Sequence, residues 1–284
     1  MTKYLITGAA GMLGRDLQAA LAGRDVTALS RAELDITDPA AVDAAVAGHD
    51  VVINASAYTK VDDAESNEDA AFAVNATGAG NLAAAAAAAG AWLVQVSTDY
   101  VFDGSATEPY SEDTPVNPVS AYGRTKAEGE RLALEANGDR TYVVRTAWLY
   151  GQHGGNFAKT MLALSAKLDE VSVVTDQVGQ PTWTHDLAEQ IVALLDSDAP
   201  AGIYHGTASE QGSWFDFAAA VFAGAGLDPA RVKPTDSSQF VRPAPRPAYS
   251  VLGHDAWTRA GLAPMRDWRL ALTEAFATGA LSAS

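Results

Sequence analysis

The chain has 284 residues, of which 48% are hydrophobic and 19% charged, so it can bury a large core and is not globally disordered. A formal net charge of −16 excludes general affinity for nucleic acid or anionic membranes, because both depend on clustered lysine and arginine. Cysteine is absent, which excludes disulfides, thiolate catalysis and zinc–thiolate sites.

The start of the chain resembles neither a signal peptide nor a membrane anchor. Met1-Thr2-Lys3 leads directly into an apolar strand, without a long apolar region or a small-residue cleavage site. The alanine-rich run at 82–89 is too short to cross a bilayer. We therefore expect a cytoplasmic protein that is a monomer or a homodimer.

The first half of the chain alternates short β-branched segments with helical stretches. In chain order, the predicted strands and helices are residues 4–7, 12–21, 26–29, 40–46, 51–54, 70–89 and 93–97. This βαβα order predicts an α/β protein with a Rossmann-type, doubly wound parallel sheet.

The second half is less regular. Strands are predicted at 142–146 and 171–174, and 187–195 has a helical period, while segments rich in proline and glycine lie between and after them. We predict an NAD(P)-binding core formed by 1–150 and 170–198. A smaller, mixed α/β substrate-binding lobe would be formed by 151–169 and 199–284.

A glycine-rich loop connects the first predicted strand to the first predicted helix. Gly8, Gly11 and Gly14 are spaced three apart, and Met12 and Leu13 begin the helix. Glycines here allow a tight turn and let backbone amides approach a pyrophosphate at the positive end of the helix. A plain glycine turn is the alternative, but the position between strand and helix favours a dinucleotide cofactor.

The residues after the second and third predicted strands complete the expected cofactor site. Ser30 and Arg31 lie where the adenosine ribose binds in such folds, and Arg31 could pair with the 2′-phosphate of NADPH. A solvated surface arginine is an equally good interpretation, so NADH stays possible. We expect Asp35 and Ile36 to line the adenine pocket. After the third strand, small residues would let the cofactor pass close by, although an ordinary strand end could have the same composition; these residues are Ala55, Ser56 and Ala57.

Thr98, Tyr122 and Lys126 form the strongest catalytic pattern. Tyr122 and Lys126 are four residues apart, so they share one face of a helix, and the lysine could lower the pKa of the phenol from about 10. A phenol tuned in this way can protonate an alkoxide, while Thr98 can donate its hydroxyl to the same oxygen. Such a pair often arises by chance, but here it follows a strand-end Ser-Thr and a glycine-rich loop.

These motifs carry a clear resemblance. The sequence resembles the extended short-chain dehydrogenase/reductases and, within them, the dTDP-4-dehydrorhamnose reductase family. The matching segments are 97–104 (STDYVFDG), 122–126 (YGRTK), 145–151 (RTAWLYG), 156–157 (NF) and 176–182 (DQVGQPT), and the similarity extends from the first strand to 246–252.

The resemblance implies a reaction and a set of roles. A hydride would pass from NADPH to the C4 carbonyl of dTDP-6-deoxy-L-lyxo-4-hexulose, which gives dTDP-L-rhamnose. Tyr122 would donate the proton, Lys126 would also bind the nicotinamide ribose, and Thr98 would polarise the carbonyl. The residues that would bind the substrate are Val61, Thr98, Asp99, Tyr100, Trp148 and Asn156, with Arg242 and Arg246 on its diphosphate. Trp148 could instead be a core aromatic.

A bound metal is doubtful. Some bacterial members of the family hold Mg²⁺ with acidic clusters, and this chain has Asp16, but Thr184-His185-Asp186 stands where a glutamate would help. We therefore assign no metal ligand.

Three other functions stay open. A sugar-nucleotide dehydratase or epimerase shares the fold, but dehydratases usually place Asp-Glu after the threonine, whereas Asp99 is followed by Tyr100. A 4-ketoreductase for another nucleotide deoxysugar would have the same motifs. A non-catalytic, NADP-binding regulatory subunit resembling that of methionine adenosyltransferase belongs to the same family, although intact Thr98, Tyr122 and Lys126 favour catalysis.

Overall fold

The computed structural model describes residues 1–282. Its strands are β1 Lys3–Thr7, β2 Asp25–Leu29, β3 Val51–Asn54, β4 Trp92–Thr98, β5 Thr141–Thr146, β6 Leu149–Tyr150, β7 Val171–Val174, β8 Val178–Gly179, β9 Thr182–Trp183, β10 Gly202–His205, β11 Gly212–Ser213 and β12 Val232–Thr235. Its helices are α1 Met12–Ala20, α2 Pro39–Val46, α3 Val61–Ala64, α4 Glu68–Phe72, α5 Gly78–Ala89, α6 Ala121–Asn137, α7 Phe157–Ser165, α8 Thr184–Leu195, α9 Trp214–Gly224, α10 Asp255–Arg259 and α11 Trp268–Ala277.

Six strands form one sheet in the order β10-β5-β4-β3-β1-β2. All neighbouring pairs are parallel. The direction in which strands are added reverses between β1 and β3, and ligands of doubly wound sheets bind at the carboxyl ends of the strands at such a point. The predicted fold class is confirmed, and its geometry indicates where a cofactor would lie.

Helices cover both faces of this sheet. Successive side chains of a strand point to opposite faces, and in β1 Leu5 and Ile6 belong to different apolar clusters. Ile6 packs with Leu17 of α1 and Ile191 of α8. Leu5 packs on the other face with helices α2 and α5. Strands buried on both faces need continuous runs of apolar residues, and the sequences of β1 and β3 contain such runs.

A further apolar cluster, distinct from the two that flank the sheet, lies in the predicted smaller lobe. It joins helices α7, α9 and α11 to strands β7 and β12, and its fully buried aromatic side chains include Phe217, Phe222 and Trp268. These elements share an apolar core outside the six-stranded sheet, as expected for the predicted substrate-binding lobe. No helix within residues 1–282 combines the length and apolar character that crossing a bilayer requires.

Two strands pair with partners from across the predicted division between core and lobe. Strand β7 pairs with β12 in a two-stranded sheet of the lobe, although 170–198 was assigned to the core. Strand β10 pairs with β5 at the edge of the six-stranded sheet, although 199–284 was assigned to the lobe. A β-branched run predicts a strand, but its pairing partner is distant in sequence and is not encoded locally.

The helix predicted at 70–89 begins earlier and is not uniform. It starts with α4, passes through a π-helical turn at Ala73–Thr77 and continues as α5. Such turns often accompany functional sites. Asn75 in this turn accepts from the Tyr58 backbone amide at 2.8 Å and donates to the Thr125 hydroxyl at 3.1 Å, so it links the loop after β3 to helix α6.

Candidate active site

A cavity of about 690 Å³ follows the carboxyl ends of the central strands. Most of the predicted site residues line it, although they come from widely separated parts of the chain. The predicted residues that line the cavity are Gly8, Gly11, Met12, Leu13, Gly14, Arg31, Asp35, Ile36, Ala55, Ser56, Ala57, Val61, Thr98, Asp99, Tyr100, Tyr122, Lys126 and Trp148. Ser30, Asn156, Arg242 and Arg246 lie outside this lining.

The glycine-rich loop is built for close approach. Gly8 has a φ of 71°, and a Cβ there would lie 2.7 Å from the Ala55 backbone carbonyl carbon. A Cβ on Gly14 would collide with the carbonyl oxygen of Gly8. Helix α1 starts after Gly11 without a side-chain cap, so its first amides are free to bind an anion. These features fit the diphosphate of a dinucleotide cofactor.

The expected adenosine end of the cavity contains Arg31 and Asp35. Ser30 is turned away, since both its amide and its hydroxyl donate to the Glu33 carboxylate, at 2.8 and 2.7 Å. The backbone amide and hydroxyl of Thr37 donate to Asp35 and lower the pKa of its carboxyl. Arg31 is thus the available cation where a 2′-phosphate would bind.

The predicted catalytic residues come from β4 and α6. Ser120 caps α6 by accepting from the Gly123 amide at 3.1 Å, and this fixes the first turn that carries Tyr122. Lys126, one turn later, is 3% exposed, and its ammonium donates to the Val96 carbonyl at 2.6 Å. The helix period therefore brings Tyr122 and Lys126 to the same cavity as Thr98, as the sequence predicted.

Burial dominates the titration of this pair. It raises the pKa of Tyr122 to about 12, with the Thr98 hydroxyl acting in the opposite direction. Burial also lowers the pKa of Lys126 to about 8, opposed by Glu130. The role of Lys126 in lowering the pKa of the phenol stays a prediction; in this arrangement burial has the largest effect on Tyr122, and the Lys126 ammonium donates to the Val96 carbonyl. Tyr122 is consequently a neutral phenol at pH 7, which is the form that can donate a proton.

Thr98 and Asp99 form a buried polar unit. The Thr98 hydroxyl donates to the Asp99 carboxylate at 2.9 Å and accepts from the Tyr100 amide at 3.2 Å. Burial raises the pKa of Asp99 to about 6, and the Ser250 and Thr98 hydroxyls limit this rise. Both hydrogen bonds fix the orientation of the Thr98 side chain beside Tyr122.

Two tryptophans form one wall of the cavity. Trp148 has a φ of 48°, which is unusual for a large side chain, and its ring stacks on Trp214 with centroids 3.6 Å apart and planes 8° from parallel. Trp148 was predicted to shape the sugar site, whereas Trp214 was missed. Its only local signal is Ser213, which starts helix α9 through a capping box with Asp216. Other cavity residues that were missed include Tyr58, Thr59, Leu34, Gly154 and Gly155.

Of three residues predicted for the substrate that lie outside the cavity lining, Asn156 and Arg246 have other partners. Asn156 caps α7 by accepting from the Lys159 amide at 3.1 Å and donates to the Gly151 carbonyl at 3.0 Å. Arg246 pairs with Asp62 at 2.9 Å. Arg242 is exposed and makes no hydrogen bond or ion pair with the rest of residues 1–282.

Acidic groups are not gathered into a metal site in the described part of the chain. No cluster of three or more histidine or acidic side chains is placed to hold a metal ion there. Asp16 is buried, and Asp186 forms an ion pair with Arg266 at 2.8 Å, so the segment considered for Mg²⁺ has an internal partner.

The family described as RmlD substrate binding domain matches residues 2–280, almost the whole chain. The chain belongs to this family. A curated member, the dTDP-4-dehydrorhamnose reductase of Streptomyces griseus, is 54% identical over 282 residues, which cover 96% of this chain and 93% of that protein. The dTDP-4-keto-6-deoxy-D-glucose reductase of Streptomyces niveus is 49% identical over 278 residues, with 96% of each chain covered.

Solved structures of the RmlD family have the same fold over the same length. The crystal structure of dTDP-4-dehydrorhamnose reductase from Bacillus anthracis, in complex with NADP, superposes with a TM-score of 0.94 at 38% identity. The match covers 98% of this chain and 100% of that one. The resemblance inferred from the motifs is thereby confirmed.

Proposed function

We propose that the chain is an NADPH-dependent reductase that converts dTDP-6-deoxy-L-lyxo-4-hexulose to dTDP-L-rhamnose. The observation that carries the proposal is the convergence of Thr98, Tyr122 and Lys126 on the cavity that also contains the glycine-rich loop. The names of the curated relatives and the NADP complex of the Bacillus anthracis protein support the same reaction. Both reactants are charged phosphate esters, so the reaction belongs in the cytoplasm.

The cofactor site follows from the backbone of the loops. Gly8, Gly11 and the first amides of α1 would hold the diphosphate, and Arg31 would hold the 2′-phosphate. Ala55, Ser56 and Ala57 leave the space along the sheet edge that a flat ligand needs, since none has a large side chain. When bound there, NADPH supplies the hydride.

Tyr122 protonates the C4 oxygen as negative charge develops on it. A phenol with a pKa of about 12 is neutral at pH 7 and still far more acidic than the alcohol that forms, so the proton transfer is favourable. Lys126 shares its helix face and stabilises the resulting phenolate. With a pKa of about 8, Lys126 keeps most of its charge at neutral pH.

Thr98 orients the carbonyl. Its hydroxyl donates to Asp99 in the present structure, so it must turn toward the substrate oxygen before it can polarise it. The Thr98 side chain is thereby a positioned donor with an internal alternative partner.

The runner-up is a 4-ketoreductase that makes a different deoxysugar. It is favoured by the Streptomyces niveus relative, whose name specifies dTDP-4-keto-6-deoxy-D-glucose and which is nearly as similar as the Streptomyces griseus protein. Both reactions deliver a hydride to C4 and differ in the configuration of the sugar. The residues Thr98, Tyr122 and Lys126 would serve both.

Substrate discrimination separates these functions. Purified protein is supplied with NADPH and, in parallel, with the L-lyxo-4-hexulose and the D-xylo-4-hexulose attached to dTDP, and the loss of NADPH absorbance is followed. We expect faster reduction of the L-lyxo sugar, with dTDP-L-rhamnose as product. Preference for the D-xylo sugar would favour the runner-up, and no oxidation with either would favour the regulatory-subunit alternative.

A further inference from the structure

The stacked pair Trp148–Trp214 has an arrangement that nothing in the cofactor site requires. The ring centroids are 3.6 Å apart, so a sugar or base cannot enter between the two rings. Trp214 also packs against Phe157, with ring centroids 4.5 Å apart, and Phe157 belongs to the apolar cluster of the lobe. Trp214 thus joins the lobe core to a ring that lines the cavity.

The backbone around Trp214 is fixed from two directions. Strand β11, which directly precedes it, pairs antiparallel with β8, so that Ser213 lies opposite Val178 and Gly212 opposite Gly179. Ser213 then starts α9 with a capping box, which sets the direction of the first helical residue. The position of the Trp214 ring is therefore determined by the lobe and not by a mobile loop.

Trp148 needs such support. Its backbone is in the left-handed region, which disfavours a side chain with a Cβ. Gly179 of strand β8 lies so close to Trp148 that a Cβ on this glycine would come within 2.5 Å of the indole. A strained conformation persists only when surrounding contacts enforce it. Trp214 and Gly179 are the contacts that enforce this one.

Sheet register places Trp148 close to the reacting groups. Thr146, the last residue of β5, pairs with Thr98, the last residue of β4. Trp148 follows two residues later and lines the cavity together with Tyr122. An indole at this position can contact the apolar part of a hexose whose C4 faces Tyr122 and Thr98.

We propose that Trp214 is a positioning residue that holds the Trp148 indole in the orientation in which it contacts the sugar of the substrate. The inference rests on the proposed function, because it takes the dTDP-linked 6-deoxysugar as ligand. Trp214 acts through Trp148, so its contribution depends on the presence of that ring.

The test is a double-mutant cycle on binding, which needs no turnover. Isothermal titration measures the Kd of dTDP and of dTDP-L-rhamnose for wild type, Trp148→Ala, Trp214→Ala and the double variant. The ratio of the Kd of dTDP to the Kd of dTDP-L-rhamnose isolates the contribution of the sugar to binding. We expect Trp214→Ala to reduce this ratio about three- to tenfold, as expected for loss of an aromatic contact, with the Kd of dTDP unchanged. The double variant should be no worse than Trp148→Ala.

Further variants separate positioning from folding. Trp214→Phe keeps a ring for Trp148 to stack on and should retain most of the wild-type ratio, whereas Trp214→Leu should not. Trp92→Ala is the matched control, because Trp92 stacks on Tyr142 at 4.9 Å but begins β4, at the opposite end of the strand from Thr98. It should leave the ratio unchanged, and thermal unfolding reports whether each variant is folded.

The inference and the proposed function fail separately. A wild-type ratio in Trp214→Ala, equal weakening of dTDP and dTDP-L-rhamnose, or additive losses in the double variant would each overturn the role of Trp214. If wild type oxidised no NADPH with any dTDP-4-keto sugar, the proposed reaction would be wrong, while the binding ratios would still decide the role of the tryptophan pair.

Discussion

Arg246 donates to the Asp62 carboxylate at 2.9 Å and lies 6.0 Å from the centre of the Tyr100 ring. The Ala244 amide also donates to Asp62, at 3.3 Å, so this carboxylate ties the proline-rich segment of the lobe to helix α3. Arg246 is 22% exposed, and Val61 beside Asp62 lines the cavity. The arginine predicted to bind the substrate diphosphate therefore has an internal anionic partner at the edge of the site.

If the Arg246 guanidinium exchanges the Asp62 carboxylate for the substrate diphosphate, substitutions of Arg246 and Asp62 should have opposite effects on KM for the dTDP-sugar. Arg246→Ala should weaken binding of the dTDP-sugar more than binding of NADPH and should flatten the salt dependence of KM, because one cation is lost. Asp62→Asn should lower KM for the dTDP-sugar a few-fold, since a partly exposed ion pair is worth at most about 1 kcal/mol. Steady-state kinetics at several salt concentrations measure both. Arg242 is exposed and has no partner within residues 1–282, so Arg242→Ala shows whether loss of any nearby positive charge is enough to weaken substrate binding. An increased KM in Asp62→Asn would contradict the exchange of partners by Arg246.

Removal of the phenol tests the proton donor. Tyr122→Phe keeps the ring that packs edge-on against Tyr100 and should lower kcat about 100- to 10,000-fold, the usual contribution of a positioned acid. NADPH affinity should stay near that of wild type. Tyr204→Phe is the control, because it removes a hydroxyl that bonds the Pro200 carbonyl, far from Tyr122 in the sequence. Near-full turnover in Tyr122→Phe would remove this residue from the mechanism.

The charge of Lys126 predicts the alkaline limit of activity. Burial lowers the pKa of this lysine to about 8, so the group loses its proton as pH rises through that value and can no longer stabilise the phenolate. Turnover should therefore fall above pH 8, and Lys126→Arg, with a permanently charged guanidinium, should lose this limb even if its rate is low. A pH profile of kcat measures the effect. An unchanged alkaline limb in Lys126→Arg would assign it to another group.

The lowered pKa of Lys126 also affects how the free energy of unfolding depends on pH. Because the folded-state pKa lies below the ordinary value of 10.5, the unfolded chain binds more protons between about pH 8 and 10.5. The contribution of Lys126 to the free energy of unfolding therefore rises with pH across this window, and Lys126→Met should remove that rise. Urea unfolding at several pH values reports it independently of turnover.

Arg31 should determine the choice of cofactor. A charge-assisted contact to the 2′-phosphate contributes about 1.5–3 kcal/mol when well formed, so Arg31→Ala should reduce the preference for NADPH over NADH roughly 10- to 100-fold, less if the arginine is solvated. The ratio of kcat/KM for the two cofactors is the measurement. Arg131→Ala, on the exposed face of α6, is the control. An unchanged ratio in Arg31→Ala would mean that this side chain is only a surface arginine.

Local sequence patterns predicted most of the site because they act over short distances. The glycine spacing determines the loop at Gly8, and four-residue spacing places Tyr122 and Lys126 on one helix face. Ser30 lines no cavity because its neighbour Glu33 provides a local hydrogen-bond partner that the strand pattern did not reveal. Patterns of this kind identify a loop or a helix face, but they do not specify which polar group turns inward.

Contacts across the fold could not be predicted in the same way. Trp148 and Trp214 are 66 positions apart, and their stacking depends on the pairing of β8 with β11 in the lobe. Strands β7 and β10 pair across the predicted core–lobe division, and these pairings could not be predicted for the same reason. Burial raises the pKa of Tyr122, and the sequence could not predict this effect because burial is a property of the packed structure.

The most direct test of the account is to follow the transferred hydrogen. Wild-type protein is incubated with NADPH deuterated at C4 of the nicotinamide and with dTDP-6-deoxy-L-lyxo-4-hexulose, and the sugar product is examined by mass spectrometry and NMR. We expect dTDP-L-rhamnose with one deuterium, at C4 of the hexose, when the transferred face carries the label, and almost no labelled product from Tyr122→Phe in the same time. NADPH that stays unoxidised, or deuterium at another carbon of the sugar, would contradict it.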